Sequence, residues 1–385
     1  MKENESALYS EYIIDGIRCD MTPAELLDEC MEYAETAAVD ENFSDIIDES
    51  TDPPVAPFAY DSARNEEYAA LVAAETLHER AFTMLYPEHF TRLQIAKALL
   101  SRLWSEGHFR LGDLRLWAQW EWNTRPIGNM AAFYSSASAA SDYIYGLGVR
   151  MADYLFIESD HTSSAKFFAW LPESEEPDTE ENCEGDTLFK SSPYESRHPW
   201  IGEGRRCAST LQPDPDSWLI YIPFDTCPYR LGGSVLAQVN GHNGGPGPQI
   251  QDPDYFIDCY EVVREFTEDG IIVAGATVAD GGLAAAAARM CAGCGIEIDI
   301  NGLLASYQEA DSTQLLFGET PGALIQISDS DYDYLDSQLL LQDVAYYPLG
   351  HPDPSMTGLK ITRTERSGVA GILASLLGQA SEGED

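Results

Sequence analysis

The chain has 385 residues, 44% of them hydrophobic and 11% aromatic, enough apolar side chain for one large core or two ordinary ones, and the length favours two or three domains. The 65 acidic residues against 22 basic ones give a formal charge of −43 at pH 7, which makes nonspecific association with nucleic acid or an anionic membrane electrostatically unfavourable. Only five of the basic residues are lysines, a pattern that fits a salt-rich cytoplasm or simple solubilisation by carboxylates.

No apolar run approaches the roughly 18 residues of a membrane span. The start, MKENESALYSEYIIDG, lacks the basic and apolar regions of a signal peptide, so the expected location is the cytoplasm. The eight cysteines are scattered and are expected to be reduced, mostly buried thiols.

In chain order, TPAELLDECMEYAETA opens with Thr22, Pro23 and Glu25 in capping-box order and continues at helical spacing. DESTDPPVAPFAYDS reads as a loop. EEYAALVAAETLHERAFTML and FTRLQIAKALLSRLW are helical, so residues 1–125 are expected to form a helical extension. From Pro126, the small-residue helix GNMAAFYSSASAASDYIYGLG precedes two strands, ADYLFIES and AKFFAWLP. The turn-rich ESEEPDTEENCEGD then reads as an acidic linker, closing a sheet domain over 126–212.

Beyond Ser217 the elements alternate: strand SWLIYIP, turn RLGGS, helix DYFIDCYEVVREFTEDG, strand IIVAG, helix GGLAAAAARMCAG, strand IEIDI, then GALIQIS, a short helix DYDYLDSQLL, VAYYPLG and LKITR. This is an α/β (α+β) pattern with helices on a sheet, placed over 213–365 and followed by a C-terminal helix and tail over 366–385.

The ordered set LGGSVLAQV (231–239), GGPGP (244–248), VADGGLAAAAARM (278–290), IEIDI (296–300) and LFGETPGALIQIS (316–328) resembles the C-terminal domain of the formylglycinamidine synthase and AIR synthetase superfamily of purine biosynthesis. Residues 128–156 are similar in layout to the helix and strand of that family's N-terminal domain. The resemblance implies a two-domain AIR-synthetase-like architecture. It further implies, as expectations, ATP-dependent amidation of a phosphoribosyl amide, with Mg²⁺ on the phosphates, ammonia from a separate glutaminase, and homodimerisation through the N-terminal sheets.

Candidate site residues follow, each with its alternative. Gly281 and Gly282 allow close backbone approach to a ligand at a helix N-terminus, with Asp280 as a Mg²⁺ or substrate contact; equally, Asp280 caps the helix and the glycines make a tight turn. Arg230 beside Gly232, Gly233 and Ser234 makes an anion site or is a surface charge. Glu319 contacts a ligand or is a solvent-facing turn carboxylate. Arg197, His198, Arg205 and Arg206 form a basic cluster suited to a phosphate or to an internal salt-bridge patch.

Cys291 and Cys294 have metal-ligand spacing without a second ligand pair, and are expected to be buried thiols. DSDYDYLD lacks the central glycine and terminal glutamate of a calcium loop.

Departures from the family pattern open a second reading. Where the synthases carry a His-Asp pair and a serine, this chain has Ala276, Thr277 and Ala279, and no nucleotide-binding glycine motif replaces the family's ATP motif. The sequence therefore fits either a synthase-like ligase or a noncatalytic relative that binds a ligand or serves in assembly. A branch acting on selenide, thiamine phosphate or carbamoyl groups is a third, weaker fit.

Overall fold

The computed structural model describes residues 6–32, 60–76, 84–161, 163–172, 204–242, 245–248, 250–308 and 310–362. The proline-rich stretch before Tyr60, the acidic linker, Arg197 and His198, and the segment 366–385 lie outside the described residues.

The amino-terminal part starts with a hairpin of β1 (Ile13–Ile14) and β2 (Ile17–Arg18) closed by Asp15 and Gly16, both at positive φ, the backbone a two-residue hairpin turn requires. Helices α1 (Pro23–Glu32), α2 (Asn65–Glu75) and α3 (Pro87–Leu100) follow. At α1, Thr22 and Glu25 exchange hydrogen bonds as the capping box predicts.

Next come β3 (Arg115–Trp122), α4 (Asn129–Gly146), β4 (Arg150–Glu158) and β5 (Ser164–Trp170), with strand order β4-β3-β5; β3 runs parallel to β4 and antiparallel to β5. The segment 115–122, assigned by its sequence to the helical extension, is thus the central strand of the sheet. Leu116, Ala118, Trp120 and Trp122 are buried while the residues between them are half-exposed, a period-2 pattern that only a strand satisfies. On the inner face, the Ser136 hydroxyl of α4 meets both Trp120 Nε1 at 3.0 Å and Thr91 Oγ1 of α3 at 2.7 Å, so helices and sheet share one satisfied polar contact in an apolar layer.

The carboxy-terminal part contains β6 (Ser217–Pro223), α5 (Val235–Val239), α6 (Pro253–Glu268), β7 (Ile272–Val278), α7 (Gly282–Met290), β8 (Gly295–Ile298), α8 (Asn301–Ser306), α9 (Ser312–Phe317), β9 (Gly322–Ser328), α10 (Tyr332–Leu341), β10 (Tyr347–Gly350), β11 (Pro352–Asp353) and β12 (Leu359–Ile361). A four-stranded antiparallel sheet has the order β10-β6-β9-β7, and a three-stranded sheet the order β11-β8-β12.

The chain is therefore α/β in two parts, each with its own sheet. One face of the four-stranded sheet (Ile220, Ile222, Ile325, Ile327) joins α6 and the amino-terminal helices in a single core. The opposite face (Leu219, Tyr221, Val278, Leu324) packs on α7 and α9, and α2 completes this second core through Tyr68, Ala69 and Val72. With both faces covered, β9 is buried along nearly its whole length, which explains why GALIQIS reads as an almost continuous apolar run.

Candidate functional site

The glycine turns of the motif set converge on one buried carboxylate. Glu319 is 1% exposed, and its Oε1 accepts the Val235 N–H at 2.8 Å and the Gly281 N–H at 2.9 Å. Val235 opens α5 after the LGGS turn, and Gly281 precedes α7 in the DGG turn. Helix starts present N–H groups without intrahelical partners, and one carboxylate oxygen serves two such starts here. Glu319 is thereby not the solvent-facing turn carboxylate that the sequence also allowed: its Oε1 is held by main-chain donors inside the domain.

Ser234 is fully buried and caps α5, its Oγ accepting from Ala237 N at 3.2 Å and donating to Leu231 O at 2.8 Å. Gly232 donates its N–H to Pro246 O at 2.8 Å, and a Cβ there would lie 2.4 Å from the carbonyl oxygens of both Gly245 and Pro246. Gly233 adopts φ of 70°. Arg230, half-buried, enters this turn from Tyr229, which packs on Gly318. The LGGS turn is thus seated on the GGPGP segment, and the close backbone approach made possible by its glycines is to other backbone.

The DGG turn is covered by the amino-terminal helices. A Cβ on Gly281 (φ 78°) would lie 2.5 Å from Val72 Cγ1 of α2, and one on Gly282 2.7 Å from Leu316 O. Around this contact, Asn65 bonds Ser312 and Thr313, Tyr68 packs edge-on to Phe317, and Arg289 donates to Thr76 Oγ1 at 3.1 Å. Asp280, whose side chain is 14% exposed, pairs with Lys97 of α3.

The strand leading into the turn is covered as well. Trp104 fills the space beside Gly275, and its Nε1 donates to Thr277 Oγ1 at 3.1 Å. Thr277 in turn donates to Leu100 O at 3.2 Å.

Residues 216–336 match the family described as AIR synthase related protein, C-terminal domain. The chain is similar to the phosphoribosylformylglycinamidine synthases. It is 24% identical over 280 residues to the probable phosphoribosylformylglycinamidine synthase, chloroplastic/mitochondrial, of Arabidopsis thaliana, covering 70% of this chain and 18% of the plant protein. To the human phosphoribosylformylglycinamidine synthase it is 26% identical over 121 residues, 31% of this chain and 9% of the human protein. The chain thus spans less than a fifth of the length of these synthases. Among solved structures, Thermotoga maritima PurL complexed with FGAR is similar at a TM-score of 0.48 and 10% identity, over 71% of this chain and 41% of that one.

At the DGG turn Asp280 pairs with Lys97 and the Gly281 N–H donates to Glu319, and no group of three or more His, Cys, Asp or Glu suited to a metal ion occurs among the described residues.

The described members of the basic cluster sit elsewhere, on backbone carbonyls. Arg205 donates to Gly275 O at 2.7 Å and Cys207 O at 3.3 Å, and Arg206 to Glu268 O at 2.9 Å. Burial lowers the basicity of Arg205. Cys291 and Cys294 are buried free thiols, and burial pushes the Cys291 thiol up to about 12. Val72, Lys97 and Trp104 were the residues sequence reasoning missed. The signal available for them was indirect: paired glycines mark close approach without naming what approaches.

Proposed function

We propose that this chain is a noncatalytic relative of the phosphoribosylformylglycinamidine synthases, an assembly or ligand-binding protein that keeps the synthase C-terminal domain while packing its glycine turns against its own helices. One observation carries this reading: the Gly281 N–H is held by Glu319 while Val72 of α2 occupies the space over the turn. A phosphate would have to displace both an internal carboxylate and a helix to reach those amides.

The test is thermal unfolding of the full chain with ATP and Mg²⁺, with ADP, and with phosphoribosylformylglycinamide. The expected result is no shift with any of them, whereas a bound ligand at 100 times its Kd would add about 2.7 kcal/mol. A shift abolished by Asp280→Ala would show a nucleotide site at the turn and overturn the reading that its glycines serve internal packing.

The competing reading is an ATP-dependent carbon–nitrogen ligase acting on a phosphoribosyl amide, with ammonia supplied by a separate glutaminase. The 280-residue similarity to the plant synthase favours it. ADP release that requires both ammonia and phosphoribosylformylglycinamide would establish that reading in place of ours.

For assembly, the surface we propose is the outer face of the β4-β3-β5 sheet, used in a homodimer as the resemblance implies. Trp117 and Phe168 pack there with ring centroids 5.4 Å apart, and Leu155 and Ile157 are 43% and 39% exposed. Sedimentation velocity should give a dimer that Leu155→Asp with Ile157→Asp converts to monomer; a wild-type monomer would exclude this interface.

A further inference from the structure

We propose that Tyr307 and Tyr347 are a modification site, a phenol pair that a small one-electron oxidant joins into an intramolecular dityrosine bridge. Tyr307 stands at the end of α8 and Tyr347 opens β10. They are forty residues apart in sequence, yet their ring centroids lie 6.4 Å apart. The β10-β6 register sets Tyr347 opposite Tyr221, whose hydroxyl meets that of Tyr229 at 3.1 Å. Tyr229 in turn meets Tyr307 edge-on, with centroids 4.8 Å apart. Phenols from four separate segments are thus gathered in one cluster of the carboxy-terminal part.

Access decides which of them react. Tyr221 and Tyr229 are 0% and 2% exposed, so neither meets a reagent or has water to take its proton. Tyr307 and Tyr347 are both half-buried, open at the edge to a small reagent and to solvent. Other close tyrosine pairs are not open on both sides. Tyr12 and Tyr134 have centroids 5.1 Å apart, and Tyr60 and Tyr68 6.1 Å, but Tyr12 and Tyr68 are buried.

The reaction needs two equivalents of oxidant and no cofactor. Each phenol gives one electron to an oxidant molecule and one proton to water, leaving a phenoxyl radical with spin on its ortho carbons. An electron lost first from Tyr229 is replaced from Tyr307, which touches it, so the radicals collect on the outer pair. Side-chain rotation of accessible residues takes ps–ns and closes the remaining gap between the rings. One ortho carbon of each ring then forms the new C–C bond. The hydrogens on those two carbons pass to the phenol oxygens as the rings regain aromaticity, so the product has lost two hydrogen atoms in all. The bridge ties the end of α8 to β10 and closes a loop in the unfolded chain, which stabilises the fold as a disulfide would.

Oxidation of the full chain with photogenerated tris(bipyridyl)ruthenium(III), at a dilution that keeps chains apart, tests the site. Expected, after reduction of any disulfide, are dityrosine fluorescence, an intact mass lower by two hydrogen atoms, and a cross-link that peptide mapping places between Tyr307 and Tyr347. Tyr307→Phe or Tyr347→Phe should abolish this bridge, and Tyr134→Phe should leave it. Should a variant fail to fold, oxidation of the wild type in urea carries the test, because the bridge must vanish when the fold no longer holds the rings together. The bridged protein should also unfold at a higher Tm than the untreated one. A bridge mapped to Tyr12 and Tyr134, an equal yield of the 307–347 bridge in urea, or no intramolecular bridge at all overturns the site. An unchanged Tm overturns its role as a staple.

Discussion

The Glu319 carboxylate accepts the Gly281 N–H at 2.9 Å, and the same oxygen accepts the Val235 N–H at 2.8 Å. One side chain thus joins two helix starts, 38 and 84 residues away in sequence. Replacing it with alanine leaves two buried donors without this acceptor, each worth about 1–3 kcal/mol. Glu319→Ala should therefore lower the unfolding free energy by about 2–6 kcal/mol in a urea titration. Glu319→Gln, which keeps a carbonyl acceptor, should cost less. Equal losses in the two variants would mean that the acceptor is not what matters there.

Gly281 has two separate reasons to be glycine. Its φ of 78° disfavours any side chain, and a Cβ would lie 2.5 Å from Val72 Cγ1. Gly281→Ala should cost at least about 1 kcal/mol from backbone conformation alone, with the clash added. If α2 is the element in contact, combining it with Val72→Ala should recover part of the loss, a positive coupling readable in a double-mutant cycle. Strict additivity would show that α2 does not press on the turn in solution.

Arg264 links α6 to the loop after α3 through the carbonyls of Leu103, Ser105 and Gly107. Breaking a buried charged network by deleting one partner typically costs about 3–5 kcal/mol. Arg264→Met should fall in this range. Arg264→Lys should recover little of it, because an ammonium cannot reproduce the planar fork that reaches several carbonyls and stacks over Phe109. Chemical denaturation of the three proteins measures both differences.

Most strands and longer helices of residues 217–361 are legible because each is a short run with its own period, bounded by glycine or proline, whereas the short α8, α9 and β11 are not. Nor is strand β3. RLWAQWEW lies ten residues beyond a helical run read as ending at Trp104, and its alternation becomes decisive only when Leu116, Ala118, Trp120 and Trp122 are seen on one face. What surrounds the site was also hidden, because Lys97 meets Asp280 across 183 residues and no local pattern encodes so distant a pairing. For the same reason Glu319 read as a turn residue: LFGET describes a turn correctly, while its burial depends on α5 and α7 arriving from elsewhere.

Thiol titration provides a pH prediction with a definite sign. Burial raises the Cys30 thiol to about 11 and the Cys291 thiol to about 12, from an ordinary value of 9.0. Below pH 9 both are protonated whether the chain is folded or unfolded, so their contribution to stability is fully present. As pH rises from 9 towards 11 and 12, the unfolded chain releases these protons while the folded chain retains them. The unfolded state then binds fewer protons, and stability falls with pH. Urea midpoints should therefore decline across that window, less steeply in a Cys30→Ala, Cys291→Ala variant. At pH 8 both thiols should react with a disulfide reagent far more slowly in the native protein than in urea, because the thiolate is the reactive form. Fast native modification of Cys291 would show that it is exposed and not held in the second core.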